Sequence, residues 1–128
     1  MTNSAEIEAD PYAPALLWIR KDPGTGSAVR LAKLILSLWN DEAAYSFREC
    51  ASWFDDIRSA WALKMISHFL HHGEDRLLFD AGKEVYELCH HLWQVGYART
   101  EAKRAALKEM ERQRQEGLGK EHPEWFDD

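Results

Sequence analysis

Apolar positions recur along this chain with the 3.6-residue period of a helix, and no stretch alternates as a half-buried strand would. The widest pattern lies in Asp55 to His72, DDIRSAWALKMISHFLHH. Stepping about 100° per residue, Trp61, Ala62, Leu63, Met65, Ile66, Phe69 and Leu70 fill an arc of roughly 200°. An arc that wide calls for neighbours on two or three sides, so this segment is expected to be the central helix of a small bundle. Asp55 or Asp56 suits its N-cap, and Gly73 suits the residue just past its end.

A second amphipathic pattern runs from Ala28 to Trp39, with Ala28, Val29, Leu31, Ala32, Leu34, Ile35, Leu36, Leu38 and Trp39 on one side and Arg30, Lys33, Ser37 and Asn40 on the other. Ser27 is its expected N-cap. Upstream, Ala13 to Arg20 supports two turns, with Pro14 tolerated in the first. Asp-Pro-Gly-Thr-Gly-Ser then breaks the chain. Between Asn40 and Asp55, Phe47, Cys50, Ala51, Trp53 and Phe54 fit a short helix after a loop near Tyr45. From Ala81 to Val95 the pattern is again helical, Val85, Tyr86, Leu88, Cys89, Leu92, Trp93 and Val95 facing Lys83, Glu84, Glu87, His90, His91 and Gln94. Thr100 to Gln115 consists of good helix formers, yet its apolar stripe is only Ala102, Ala106 and Met110. Whether this helix continues the previous one through Gly96 or restarts at Thr100 is open at this level.

The pattern therefore predicts an all-α protein: a compact bundle of four to five helices with an extended charged C-terminal helix. Its expected divisions are a flexible acidic tail over 1–11, the bundle over 12–96, the charged helix over 97–116 and an acidic tail over 117–128. Trp39, Trp61, Phe69, Leu88 and Leu92 are the expected core, buried and packed on one another.

Composition narrows the class. The 128 residues suit one domain, and six Trp, five Phe and four Tyr exceed what a disordered chain carries. The longest apolar run, Ala13 to Ile19, is seven residues against the roughly 20 of a membrane span. The acidic, polar start MTNSAEIEAD lacks the pattern of a signal peptide, and Cys50 and Cys89 are the only cysteines. The expectation is a cytoplasmic protein with reduced thiols and no membrane contact. The net charge of −6 is unevenly placed: residues 1–10 hold three acids and no base, residues 121–128 hold four and none, and residues 99–120 reverse the balance with seven bases against four acids.

Candidate chemistry is sparse. His68 and His72 stand four apart, the spacing with which two imidazoles share a metal on one helical face, which makes them the candidate ligands of a His-dependent metal-binding protein. HEXXH is absent, because Phe69, Leu70 and His71 lie between them, and His90 and His91 point away from Cys89. The thiols project from apolar faces, where a cysteine is inert. Asp-Pro-Gly-Thr-Gly-Ser lacks the Lys and the spacing of a phosphate loop, and no G-x-S-x-G elbow occurs. No catalytic set and no cofactor site emerge, so a non-catalytic interaction module is the expected function. Its candidate partner-binding residues are Ala102, Ala106, Met110, Trp125 and Phe126, serving self-association or a protein partner. Lys103, Arg104, Lys108, Arg112 and Arg114 are the alternative, a basic helix for nucleic acid, although Glu101, Glu109 and Glu111 interrupt it.

Leu38, Trp39 and Asn40 at a helix end, followed by a loop to Phe47, resemble a family of small bacterial proteins of unknown function marked by a helix ending in Leu-x-Trp-Asn or Trp-Trp-Asn and a loop leading to Phe-Asp. Arg48 replaces the aspartate. Over about residues 15–95 the resemblance implies a helical bundle of bacterial origin in the setting of mobile genetic elements. It brings no activity, ligand or catalytic residue.

Overall fold

Residues 10–43 and 45–121 are described by the computed structural model, and among them there are six helices and no strand. In chain order these are α1 Ala13–Lys21, α2 Gly26–Trp39, α3 Phe47–Cys50, α4 Asp56–His72, α5 Arg76–Leu88 and α6 His90–Glu121. None of the described helices is long and apolar enough to cross a membrane.

The bundle is built around α2, which packs against each of the other five helices. Its buried residues, Ala28, Leu31, Ala32, Leu34, Ile35 and Leu36, cover more than half of its circumference. This corrects the expectation that Asp55 to His72 forms the centre. α4 packs chiefly on α1 and α2, and only Ala62 and Met65 of it are fully buried. Leu63 and Leu70 remain 67% and 76% exposed. A wide apolar arc states what a helix could bury, and the number of neighbours decides what it does bury.

The largest fully buried side chains are Tyr12, Ile19, Leu31, Ile35, Leu36, Met65, Leu78 and Val85. The expected core set sits at the rim of this cluster: Trp39, Trp61, Phe69 and Leu92 are partly buried against it. Leu88, at the end of α5, is 45% exposed and is not a core residue. Trp39 packs instead on Tyr86 and Trp93, with ring centroids 5.9 and 5.6 Å away. On its other side it lies directly on the backbone of Gly82, in the middle of α5.

Local chemistry explains most helix ends. Asp55 caps α4 by accepting the Arg58 amide at 2.8 Å, and Gly73, at φ +63°, follows its last turn. Ser46 and Glu49 form a reciprocal capping box around α3. Ser27 does not cap α2. The helix begins at Gly26 with Thr25 at the cap position, and the Ser27 hydroxyl accepts the Trp18 indole N–H at 2.9 Å instead. α5 begins at Arg76 rather than Ala81, because Asp75 accepts the Leu78 amide at 3.0 Å. It stops at Cys89, whose backbone (φ −123°, ψ 47°) leaves the helical region, so Ala81 to Val95 is not one helix. The short helix is also briefer than its apolar residues suggest. Trp53 lies beyond it at φ +65°, with an indole 86% exposed. A non-glycine residue held in the left-handed region costs roughly 1–2 kcal/mol.

Candidate interaction surface

α6 is 32 residues long, roughly 48 Å at 1.5 Å per residue, and continues without a break through Gly96 and Thr100. Its first half is tied to the body from several directions. The Leu92 carbonyl accepts the Tyr45 hydroxyl at 2.6 Å. Thr100 is buried and its hydroxyl lies within hydrogen-bonding reach of the carbonyl oxygens of Glu42 (2.5 Å) and Gly96 (3.1 Å). Arg99 pairs with Glu49 at 2.6 Å, and the Arg104 guanidinium grips the Glu42 carboxylate with two bonds of 2.9 Å. Ser46 and Arg99 together hold the Glu49 carboxyl below its usual range.

Beyond Arg104 the ion pairs described along the rod join residues of α6 to one another: Arg112 with Glu109 and Glu116, and Arg114 with Glu111. Every residue from 101 to 117 is exposed. The expected partner-binding residues Ala102, Ala106 and Met110 all lie in this stretch, Met110 at 64% exposure. Leu107, which the sequence pattern passed over, is 55% exposed beside them. Trp125 and Phe126 lie outside the described residues. Of the basic candidates, Arg104, Arg112 and Arg114 are engaged by carboxylates, which a nucleic acid would have to displace. Lys103 borders a hollow of about 380 Å³ with Tyr45, Ser46, Glu49 and Arg99, and Lys108 is exposed on the rod.

The histidine cluster lies where α4 gives way to α5. The His68 and His72 rings lie 4.4 Å apart, tilted by 36°, but His68 Nε2 is 2.6 Å from Asp75 Oδ2, the carboxylate that also caps α5. Among the described residues no three His, Cys, Asp or Glu side chains gather as a ligand set. The edge of the Tyr12 ring meets His68 at 5.9 Å. Burial, reinforced by the Asp75 and Asp10 carboxylates, pushes the Tyr12 phenol up to about 12, so it stays protonated. Burial likewise raises both thiols, Cys50 beside the Ser37 hydroxyl and Cys89 at the α5–α6 break.

Partial desolvation opposes ionisation of Asp75, yet the Leu78 amide and His68 more than offset it and leave its carboxyl below the usual 3.8. Because the folded-state value is the lower one, the ionised carboxylate contributes stability above pH 3.8, and that contribution is lost as pH falls through the folded value. Asp75→Asn keeps a competent cap and removes the charge. Urea titrations of the two proteins are expected to show the variant less stable near neutral pH and the gap closing in acid. A gap that stayed constant down to the lowest pH would show that the carboxylate charge contributes nothing.

No protein-family model, curated protein or solved structure matches this chain.

Proposed function

We propose that this protein is a non-catalytic helical interaction module, working as a homo-oligomer or as an accessory subunit of a larger assembly, and that the outer half of α6 is its binding element. The observation that supports this reading is the regular helix over residues 101–117, exposed throughout and carrying Leu107 and Met110 away from the core. Helices of that length are marginal in water unless another surface packs on them. The small side chains of Ala102 and Ala106 permit a second helix to approach closely, and Met110 adapts to whatever it meets. A bacterial or mobile-element setting rests on the resemblance at Leu38, Trp39, Asn40 and Phe47 alone.

Truncation after Ala105 tests the reading, since it leaves Arg99, Thr100 and Arg104 attached to the body. The expected outcome is a thermal midpoint within a few degrees of the full chain and a mass, by light scattering, that falls from oligomer to monomer. For the accessory-subunit form, a partner co-purifies with the full chain and is lost on truncation. A full chain that is monomeric and binds every partner as well without residues 106–128 would overturn it.

A further inference from the structure

The hollow bordered by Lys103 opens where α6 meets the connection after α2. Tyr45 and Ser46 of that connection and Glu49 of α3 form one side of it, and Arg99 and Lys103, four apart on α6, form the other. Its volume of about 380 Å³ falls within the roughly 300–1,000 Å³ of small-molecule sites. Most of the lining is held in place by the fold itself. The Tyr45 hydroxyl donates to the Leu92 carbonyl at 2.6 Å, one Glu49 carboxylate oxygen accepts the Ser46 amide at 2.9 Å, and the other accepts Arg99 at 2.6 Å. Lys33 of α2 adds a third cation, its Nζ 5.0 Å from the centre of the Tyr45 ring, with the Arg99 guanidinium 5.3 Å from the same point.

Charge does not balance at this place. Lys33, Arg99 and Lys103 gather about a single carboxylate, Glu49, and both of its oxygens are already engaged. The next acids, Glu42 and Glu101, are held by Arg104. Lys33 and Lys103 therefore have no ion-pair partner among the described residues, in a chain whose acids outnumber its bases by 22 to 16. Three cations against one carboxylate leave two positive charges unanswered, and like charges gathered in one site repel until an anion joins them. A carboxylate ligand answers one of the two. A phosphate monoester carries about −1.5 to −2 at neutral pH and three strong acceptor oxygens, which answers both. The hollow offers donors for those oxygens: the Lys103 ammonium, the Arg99 N–H groups that Glu49 does not use, and the Ser46 hydroxyl, which accepts the Glu49 amide at 3.2 Å and keeps its own hydrogen to give. We infer that the hollow between Tyr45, Ser46, Arg99 and Lys103 binds a phosphate monoester. The site needs no second copy and stands apart from the reading of the outer half of α6.

An amide-resolved NMR titration of the full chain with methyl phosphate, at constant ionic strength, tests it. The resonances expected to move, along one saturating curve, are those of residues 45–49 and 99–103. Lys103→Gln is expected to weaken binding by at least about tenfold, while Lys64→Gln, equally exposed but on α4, leaves it unchanged. Dimethyl phosphate, with one charge and two blocked oxygens, is expected to bind at least about tenfold more weakly than the monoester. Glycerol phosphate and an alanine-rich phosphoserine peptide separate the two sources of the group; binding of either at this hollow supports the inference, and the tighter of them names the source. A titration in which residues 45–49 and 99–103 do not move overturns it. So do equal losses at Lys103 and Lys64, or a diester that binds as well as the monoester. A single-stranded oligonucleotide without a terminal phosphate that displaces methyl phosphate from the hollow assigns it to a nucleic-acid backbone, and that result overturns the inference as well.

Discussion

Gly82→Ala is expected to lower the thermal midpoint by about 10 °C, a large effect for a single methyl group. A Cβ at position 82 would fall 1.9 Å from Trp39 Cγ, with Cδ1 and Cδ2 at 2.3 and 2.4 Å. Flexible side chains can yield to such a clash, but Trp39 is confined by Tyr86 and Trp93 and cannot move without opening that aromatic cluster. Alanine in mid-helix normally gains about 1 kcal/mol over glycine. Overpacking of this severity costs about 3 kcal/mol or more and reverses that sign. Gly117→Ala is the matched control, because nothing lies within 4 Å of its added carbon, and it should be neutral or slightly stabilising. A double variant with Trp39→Leu should recover part of the loss, since the two sites share the clash. An unchanged or raised midpoint for Gly82→Ala alone would mean that the helices do not approach this closely.

Ile35→Ala is expected to cost about 2–5 kcal/mol in urea unfolding, whereas Leu70→Ala should stay within about 0.5 kcal/mol of the parent. Ile35 is fully buried in α2, the helix every other helix packs on, so the lost methylenes leave a cavity that no single neighbour can close. Leu70 is apolar and sits on the helix whose sequence pattern is widest, yet three-quarters of it faces solvent. The pair thus separates two architectures that composition alone treats as equivalent. A larger loss at Leu70 than at Ile35 would restore α4 as the centre.

The α4 boundaries were readable because their causes are local: a carboxylate three residues before an unpaired amide at Asp55 and a glycine at Gly73. α2 was found within two residues of its true start for the same kind of reason, though its cap was misassigned because Ser27 answers to the Trp18 indole, nine residues away in sequence. The break at Cys89 carries no proline or glycine and was invisible. Beyond it Trp93 meets Tyr86, seven residues back, and Trp39, 54 residues back. Gly82 did carry a signal, since an isolated glycine within a helical pattern often marks close packing. On the candidate surface, Ala102, Ala106 and Met110 were legible as a stripe. Leu107 was not, because it lies about 60° around the helix from Met110 and joins the line through Gly96, Thr100 and Lys103 instead.

Glu42 holds α6 twice, through its carbonyl to Thr100 and through its carboxylate to Arg104, and past that clamp no described ion pair ties the rod to the body. Mechanically this is a lever with its fulcrum at the connection after α2. A swing of only about 10° at the fulcrum carries the far end of a 25 Å arm through about 4 Å. Whatever seizes the tip therefore works against Glu42 with the full leverage of the arm, and the connection after α2 is where a pull on α6 would be felt first.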